Sequence, residues 1–310
     1  MEQDNTDYLA KFLAKPNGIV HVGISGGKDS TALLLWAANE SGIPKDRLIA
    51  TFCDTGNEHE ITLAYVQMLS EKIHPVITLK PELDFYELAN KKKRFPSARA
   101  RFCTQDLKMK PSRDFVWKLK DAGRDALITS GVRAAESLQR SKLPQYEWDN
   151  YYGLPVYRPL LTWTIQMVWD QHKKYGIEPN PLYAMGMSRV GCYPCIMSRK
   201  AELGRIAQLW PERFVSMAEK EKLVSSQNNI STFFARDKVP MRYRSKLIQT
   251  KDGVKMFVAT STDVMRWALD GIEQKKQEAI NEENQSKLGL EFNMQQEDAP
   301  ACPSTYGACE

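Results

Sequence analysis

Residues 23–30 read Gly-Ile-Ser-Gly-Gly-Lys-Asp-Ser, after the apolar run Gly18-Ile19-Val20-His21-Val22 and before Thr31-Ala32-Leu33-Leu34-Leu35-Trp36. A strand, a glycine turn and a helix start in that order predict a phosphate cradle. Gly26 and Gly27 let the backbone take positive φ and approach a ligand with no Cβ in the way. The N–H groups so freed and the positive end of the helix then converge on one small volume, which favours an anion. Lys28 adds a full charge, and Ser25, Ser30 and Thr31 add hydroxyl donors. The spacing is not that of the P-loop, whose two glycines stand four residues apart before Lys-Ser/Thr. An ordinary helix cap, with Ser25 or Asp29 capping, would explain one of these residues and not six in register.

The 310 residues are enough for one large domain or two smaller ones. A hydrophobic content of 42% with 26% charged residues is that of a water-soluble globular chain. The longest apolar stretch, residues 32–38, is too short to span a bilayer, so no membrane role is expected. The opening Met-Glu-Gln-Asp-Asn lacks the layout of a signal peptide, and the cytoplasm is the expected compartment. Six cysteines in that setting suggest reduced thiols or metal ligation rather than a disulfide frame. A net charge of +5 is too mild to name a partner.

Apolar runs at 19–23, 48–53, 75–79 and 126–131 predict short buried strands, and 30–41, 58–73 and 110–122 carry helical spacing. This alternation predicts an α/β fold, a parallel twisted sheet with helices on both faces. Ligands of such sheets sit beyond the carboxyl ends of the strands, so the turns after each strand should assemble the site. Helices are predicted at 165–175, 200–209, 211–223 and 274–285, while 225–255 gives no clear pattern. The organisation expected is a nucleotide-binding catalytic domain over 1–215, a mainly helical C-terminal region over 216–293 and a mobile tail over 294–310.

The second strand ends Cys53-Asp54-Thr55-Gly56-Asn57-Glu58, where Asp54 can orient Mg²⁺, a water or a ribose hydroxyl. Residues 101–111 read Arg-Phe-Cys-Thr-Gln-Asp-Leu-Lys-Met-Lys-Pro, and 129–140 read Thr-Ser-Gly-Val-Arg-Ala-Ala-Glu-Ser-Leu-Gln-Arg. The latter follows a predicted strand and brings Arg133, Glu136, Ser137 and Arg140 toward the edge that carries the glycine loop. An arginine there can grip a phosphate or sulfate in bidentate fashion. Alternatively Glu136 and Arg140 are an i,i+4 pair on a solvated turn, with Glu136 holding an arginine in place. Farther on come Arg158-Pro159-Leu160-Leu161-Thr162-Trp163-Thr164, Asn180-Pro181-Leu182-Tyr183 and Arg189-Val190-Gly191-Cys192-Tyr193-Pro194-Cys195.

In this order the pieces resemble the phosphoadenosine phosphosulfate (PAPS) reductase family of the PP-loop superfamily, the adenine nucleotide α-hydrolases, over residues 18–215. The resemblance implies an adenine nucleotide bound across the strand ends, either ATP or PAPS or its unphosphorylated form APS. By it Ser25, Gly26, Gly27, Lys28, Asp29 and Ser30 would hold phosphate, Asp54 would lie near the nucleotide, and Arg133 near the sulfate or leaving group. The superfamily includes reductases, sulfur-transfer enzymes acting on tRNA or DNA, and ligases, so it does not fix the reaction.

Cys192 and Cys195 form a Cys-x-x-Cys in a connection, which favours metal ligation over a thioredoxin-like redox pair. By the family pattern Cys103 is the third ligand. Three thiolates favour an iron–sulfur cluster, expected as [4Fe–4S] with one open iron, or zinc. The adjacent cysteines of iron–sulfur sulfate reductases are absent here, since Phe102 precedes Cys103. Reductase tails read Glu-Cys-Gly-Leu/Ile-His, and the tail here, with Cys302 and Cys309, does not.

Lys91-Lys92-Lys93-Arg94 with Arg99 and Arg101, and Arg236-Asp237-Lys238 with Arg242, Arg244 and Lys246, are interleaved with Phe95, Phe233, Phe234 and Tyr243. They form either a solvated face or a surface for a nucleic-acid or phosphate-rich partner. His21, His59, His74 and His172 show no ligand spacing, and His21 is expected to be packed in its strand. The reaction expected is ATP-dependent adenylation, releasing AMP and pyrophosphate, coupled to cluster-assisted sulfur transfer, with Lys28, Asp54 and Arg133 at the reacting phosphate. The acceptor would be a nucleic acid or a small molecule, served by a sulfur-donor protein. The alternatives are a sulfonucleotide reductase that forms sulfite with Cys309 as nucleophile and a thioredoxin-like reductant, or a non-catalytic nucleotide- or nucleic-acid-binding protein.

Overall fold

The structure, a computed structural model, describes residues 6–225, 231–234, 238–249 and 253–286. The expected tail with Cys302 and Cys309, and Arg236 and Asp237 of the second basic cluster, lie outside the described residues. The chain divides into two compact units. Residues 6–82 with 104–193 make the first, and 83–103 with 194–286 the second.

The first unit is built on a six-stranded sheet of β1 (Gly18–Ile24), β2 (Leu48–Cys53), β3 (Val76–Leu79), β4 (Asp125–Thr129), β5 (Tyr146–Asp149) and β6 (Leu154–Tyr157). Its order is β3-β2-β1-β4-β6-β5, parallel throughout except for the antiparallel β5–β6 pair. The connections leave β1 toward β2 on one side, and the sheet is later continued on the other side by β4. The crevice at the carboxyl end of β1 is therefore the switch point where doubly wound sheets bind ligands. All four strands expected from the apolar runs are present, shifted by at most two residues at either end.

Of the unit's helices, α1 (Thr6–Leu13), α2 (Lys28–Asn39) and α3 (Glu60–Lys72) pack on one face of the sheet, where α7 (Ile165–Lys174) joins them. Leu33, Leu34 and Leu35 of α2 are all buried, because the helix lies between the sheet and α7. Burying each of the three contributes about 1.5–3 kcal/mol, so α2 and the loop that starts it are firmly anchored. The other face is covered by α6 (Lys110–Asp121), which packs Val116 against Ile19, Ile128 and Val156. Leading into α6 are a short α5 (Phe102–Thr104) and a π-turn over Gln105–Met109. A one-turn α8 (Pro181–Ala184) begins on Asn180, whose side chain accepts the Leu182 N–H.

The second unit contains α4 (Phe85–Lys91), α9 (Lys200–Leu209), α10 (Pro211–Val224), the hairpin β7 (Lys246–Gln249) and β8 (Lys255–Val258), and α11 (Ser261–Ser286). Its core gathers Phe85, Phe95, Phe214, Phe233 and Phe234. Buried Glu221 of α10 accepts from the Phe233 N–H and from the N–H and hydroxyl of Ser261, so it ties α10 to the start of α11. Phe95, Phe233 and Phe234 of the two basic-aromatic clusters are thus core side chains, while Lys91–Arg94 are exposed. No described helix is long and apolar enough to cross a membrane.

Candidate functional site

The loop after β1 turns at Gly26, whose φ of +79° requires glycine. A Cβ there would stand 2.7 Å from Thr62 Cγ2 of α3. Gly27 departs from the expectation of positive φ: it is extended (φ −87°, ψ 167°), and a Cβ would make only ordinary contacts at 3.4 Å and beyond. Gly26→Ala is therefore expected to cost about 2 kcal/mol from the left-handed backbone and crowding. Gly27→Ala should stay within about 0.5 kcal/mol. Urea unfolding of the two variants measures the contrast, and equal losses would contradict it.

Gly27 caps α2 with no side-chain hydrogen bond, so neither Ser25 nor Asp29 acts as the cap. An uncapped helix start presents its positive end to whatever occupies the crevice. The loop is braced from within. Ser25 N–H donates to Ser30 Oγ (3.2 Å), Gly27 N–H to Ser25 Oγ (3.3 Å) and Ser30 Oγ to Gly27 O (3.1 Å). Partners distant in sequence hold it too: Lys28 N–H donates to the Tyr183 hydroxyl (3.0 Å) and Asn180 Nδ2 to Gly26 O (3.2 Å), and His172 Nε2 lies 2.9 Å from Lys28 O. Several backbone donors expected to be free for an anion are thus engaged inside the protein, and a phosphate would exchange them.

Asp29, expected at the phosphate, is buried and committed to two cations. Its Oδ1 accepts from Arg133 Nε at 2.6 Å, and Oδ2 lies 2.9 Å from Lys28 Nζ. Arg133 follows β4 and is itself buried, so this contact locks the β4 turn onto the start of α2. Glu136 accepts from the Arg133 N–H (2.8 Å) and pairs with buried Arg140, which matches the alternative that it holds an arginine. Asp54 follows β2 with Oδ1 accepting from Gly56 N–H (3.1 Å) and Oδ2 4.0 Å from Lys80 Nζ.

A cavity of about 100 Å³ opens at the switch point. Ser25, Ser30, Gly131 and Gly191 line it on the loop side, and His21, Thr51, Cys53, Ser130, Lys108 and Ser112 are among its other walls. Asp54 is not among the lining residues, whereas its neighbours Cys53 and Glu58 are. Glu58 accepts from the Thr55 N–H and hydroxyl. Cys53 donates to Lys108 O at 3.4 Å, and burial pushes its thiol up to about 12, which makes it a poor nucleophile. Gly23 on the same sheet face has nothing within 4 Å of a Cβ position and so leaves the space open.

Of the three expected metal ligands, Cys192 belongs to the first unit, and Cys103 and Cys195 to the second. Cys192 bridges Glu58 in antiparallel fashion and Tyr193 N–H donates to Asn57 O at 2.7 Å, which seats this segment on the β2–α3 turn. Cys195 Sγ accepts from Met197 N–H at 3.4 Å. Among the described residues no group of three or more His, Cys, Asp or Glu side chains is placed to hold a metal ion.

The profile of the phosphoadenosine phosphosulfate reductase domain matches residues 19–198, more than half of the chain. The chain belongs to the PAPS reductase family. Its fold is the PP-loop, adenine nucleotide α-hydrolase-like α/β fold of that family. An uncharacterised 37.8 kDa protein of Escherichia phage 186 is 36% identical over 277 residues, covering 73% of this chain and 82% of the relative. Adenosine 5′-phosphosulfate reductase of Allochromatium vinosum is 39% identical over 74 residues, 24% of this chain and 28% of that enzyme. Among solved structures, PAPS reductase of Candida auris in a phosphate complex is 18% identical with a TM-score of 0.46, covering 62% of this chain and 89% of the other. The PAPS reductase domain thus contains the glycine loop, Asp54, Arg133 and all three expected ligand cysteines.

Proposed function

We infer that this PAPS reductase family protein acts on ATP at the α-phosphate, adenylating an acceptor that then takes sulfur. The observation that carries the reading is the start of α2, which no side chain caps and which has Lys28 in its first turn, beside a strand-end cavity that Ser25 and Ser30 of the same loop line, although Gly26, Gly27, Lys28 and Asp29 do not. An oxygen of the acceptor attacks the α-phosphorus, the bond to the β-phosphate oxygen breaks, and pyrophosphate leaves. A sulfur nucleophile at the sulfide level then attacks the activated carbon and expels AMP, so no oxidant or reductant is consumed. Lys28 and the α2 N-terminus would neutralise the pyrophosphate as its charge grows. Magnesium would enter with the nucleotide as MgATP. Asp29 and Arg133 would act as positioning residues, since their charges meet each other. Asp54 would meet the ribose or a water at the rim.

A second reading is a sulfonucleotide reductase with Cys309 as nucleophile, favoured by the stretch shared with adenosine 5′-phosphosulfate reductase. Chromatography of AMP and pyrophosphate from ATP, beside a sulfite assay with APS or PAPS and a dithiol reductant, separates the two. We expect AMP and pyrophosphate in equal amounts with sulfide and acceptor present, unchanged in Cys309→Ser. Sulfite formed by the wild type and lost in Cys309→Ser would install the reductase instead. Nucleotide binding with neither product would leave a binding protein.

A further inference from the structure

The second unit carries a long stretch of one sign of charge. Residues 91–101 read Lys-Lys-Lys-Arg-Phe-Pro-Ser-Ala-Arg-Ala-Arg, six cations among eleven residues with no acid. Lys91–Arg94 and Arg99 are exposed. Phe95 between them is buried against Phe85 and Phe233, and its N–H donates to Ser231 Oγ at 2.9 Å, so the cations stand on a fixed frame. α4 ends in a glycine-type cap: Arg94 N–H donates to Ala89 O and Lys93 N–H to Asn90 O, both at 3.0 Å. Glycine is usual where Lys93 stands, because φ there is +51°. Among the described residues Lys93 is the one non-glycine residue with positive φ. A lysine kept in a conformation that strains it points to a use for its charge. Past Phe95 the chain turns again, where Ser97 and Ala100 exchange N–H···O bonds at 3.1 Å, and Arg99 stands on this second turn. The acids of α4, Asp84 and Glu87, are at its opposite end and accept backbone N–H groups in a capping box.

We propose that residues 91–101 are a docking surface for double-stranded DNA, gripping its phosphates without reading its sequence. The C-terminal end of α4 attracts cations by itself, but that does not account for Arg99, which lies beyond the next turn. Several cations on a rigid frame fit the closely spaced phosphates of a duplex, one per about 1.7 Å of its axis. The stretch exposes no aromatic or large apolar side chain, since Phe95 and Pro96 are both buried. Single strands are held by stacking bases on aromatic rings and membrane surfaces by inserting apolar side chains, so neither fits. RNA duplexes are recognised partly through their 2′-hydroxyls. Ser97 is the only neutral polar side chain in the stretch, and its Oγ accepts from Ala100 N–H at 3.2 Å. Contact with phosphate is what the surface offers. Lys92 Nζ and Arg94 Cζ lie 5.1 and 5.8 Å from the centre of the Phe102 ring, which steadies two of the cations. The surface lies within the second unit and does not depend on the nucleotide reading.

Fluorescence anisotropy of a labelled mixed-sequence DNA duplex of about 20 base pairs, titrated with the full chain at about 50 and about 200 mM salt, tests this. Wild-type affinity is expected to fall about thirtyfold or more between the two salts. Lys91→Ala/Arg99→Ala should lose about tenfold at the lower salt and show a shallower salt dependence, while Lys91→Arg/Arg99→Lys keeps both. Lys45→Ala/Lys118→Ala removes two exposed charges from the first unit and should change affinity by less than about threefold. Lys93→Gly should keep or raise the melting temperature and still weaken DNA binding, a pairing that a purely structural lysine would not give. No duplex binding at the lower salt overturns the proposal. So does tighter binding of an RNA duplex, a single strand or phosphatidylserine vesicles, or an equal loss in Lys45→Ala/Lys118→Ala.

Discussion

Lys28→Ala is expected to fold normally and to lose nucleotide turnover by on the order of a thousandfold. Lys28 is the first residue of α2, and its ammonium sits 2.9 Å from Asp29 Oδ2, so removing it takes the one positive side chain that the loop itself contributes. The helix start remains and still attracts phosphate, so binding should weaken far less than turnover. Charge accumulates on pyrophosphate mainly as the bond breaks, and the loss should therefore fall on kcat more than on KM. Lys28→Arg restores charge in a planar, bulkier form and should recover only part of the rate. Steady-state kinetics of AMP release compares the three proteins. A variant with wild-type kcat and a raised KM would reduce Lys28 to a binding residue.

Asp29→Ala is expected to destabilise the first unit by about 3–5 kcal/mol, the range for breaking a buried ion pair from one side. The Arg133 guanidinium would keep its burial and lose the carboxylate 2.6 Å from its Nε. In a unit of this size that corresponds to a fall in Tm of roughly 10 °C. Asp29→Ala/Arg133→Met should regain part of the loss, because a buried pair replaced by apolar side chains often costs little. Scanning calorimetry decides. A fall under about 2 °C for the single variant would show that the contact does not lock the β4 turn to α2.

The buried parallel strands were legible because sheets covered on both faces are written as continuous apolar runs, as at 19–23 and 48–53. β5 and β6 were not. Tyr-Glu-Trp-Asp has the polarity of a turn, and Pro155 argues against a strand until its place next to the edge strand is seen. The β7–β8 hairpin fell in the stretch that gave no pattern. α4 was missed although its Asp84-x-x-Glu87 capping box is readable. No linear boundary describes a second unit that takes 83–103 and resumes at 194.

In the candidate site, the turn between β1 and α2 was legible from its glycines and the apolar runs on either side. Its supports were not, because Tyr183, Asn180 and His172 reach residues 26–28 only through the tertiary fold. His21 was rightly placed in a packed strand, but alternation along β1 does not say that the α6 side of the sheet opens into a cavity there.

The central position of β1 also sets a timetable for synthesis. Gly18 pairs with Asp125 and Val22 with Thr129, so one whole edge of β1 stays bare until β4 has left the ribosome. At about 5–20 residues per second that takes several seconds. During that interval β1, β2 and β3 can zip together, yet Ile19, Val20 and Val22 still border an open strand edge. The glycine loop is thus made well before the sheet that frames it is completed. A nascent chain stalled before residue 125 would expose an adhesive strand and hold no nucleotide.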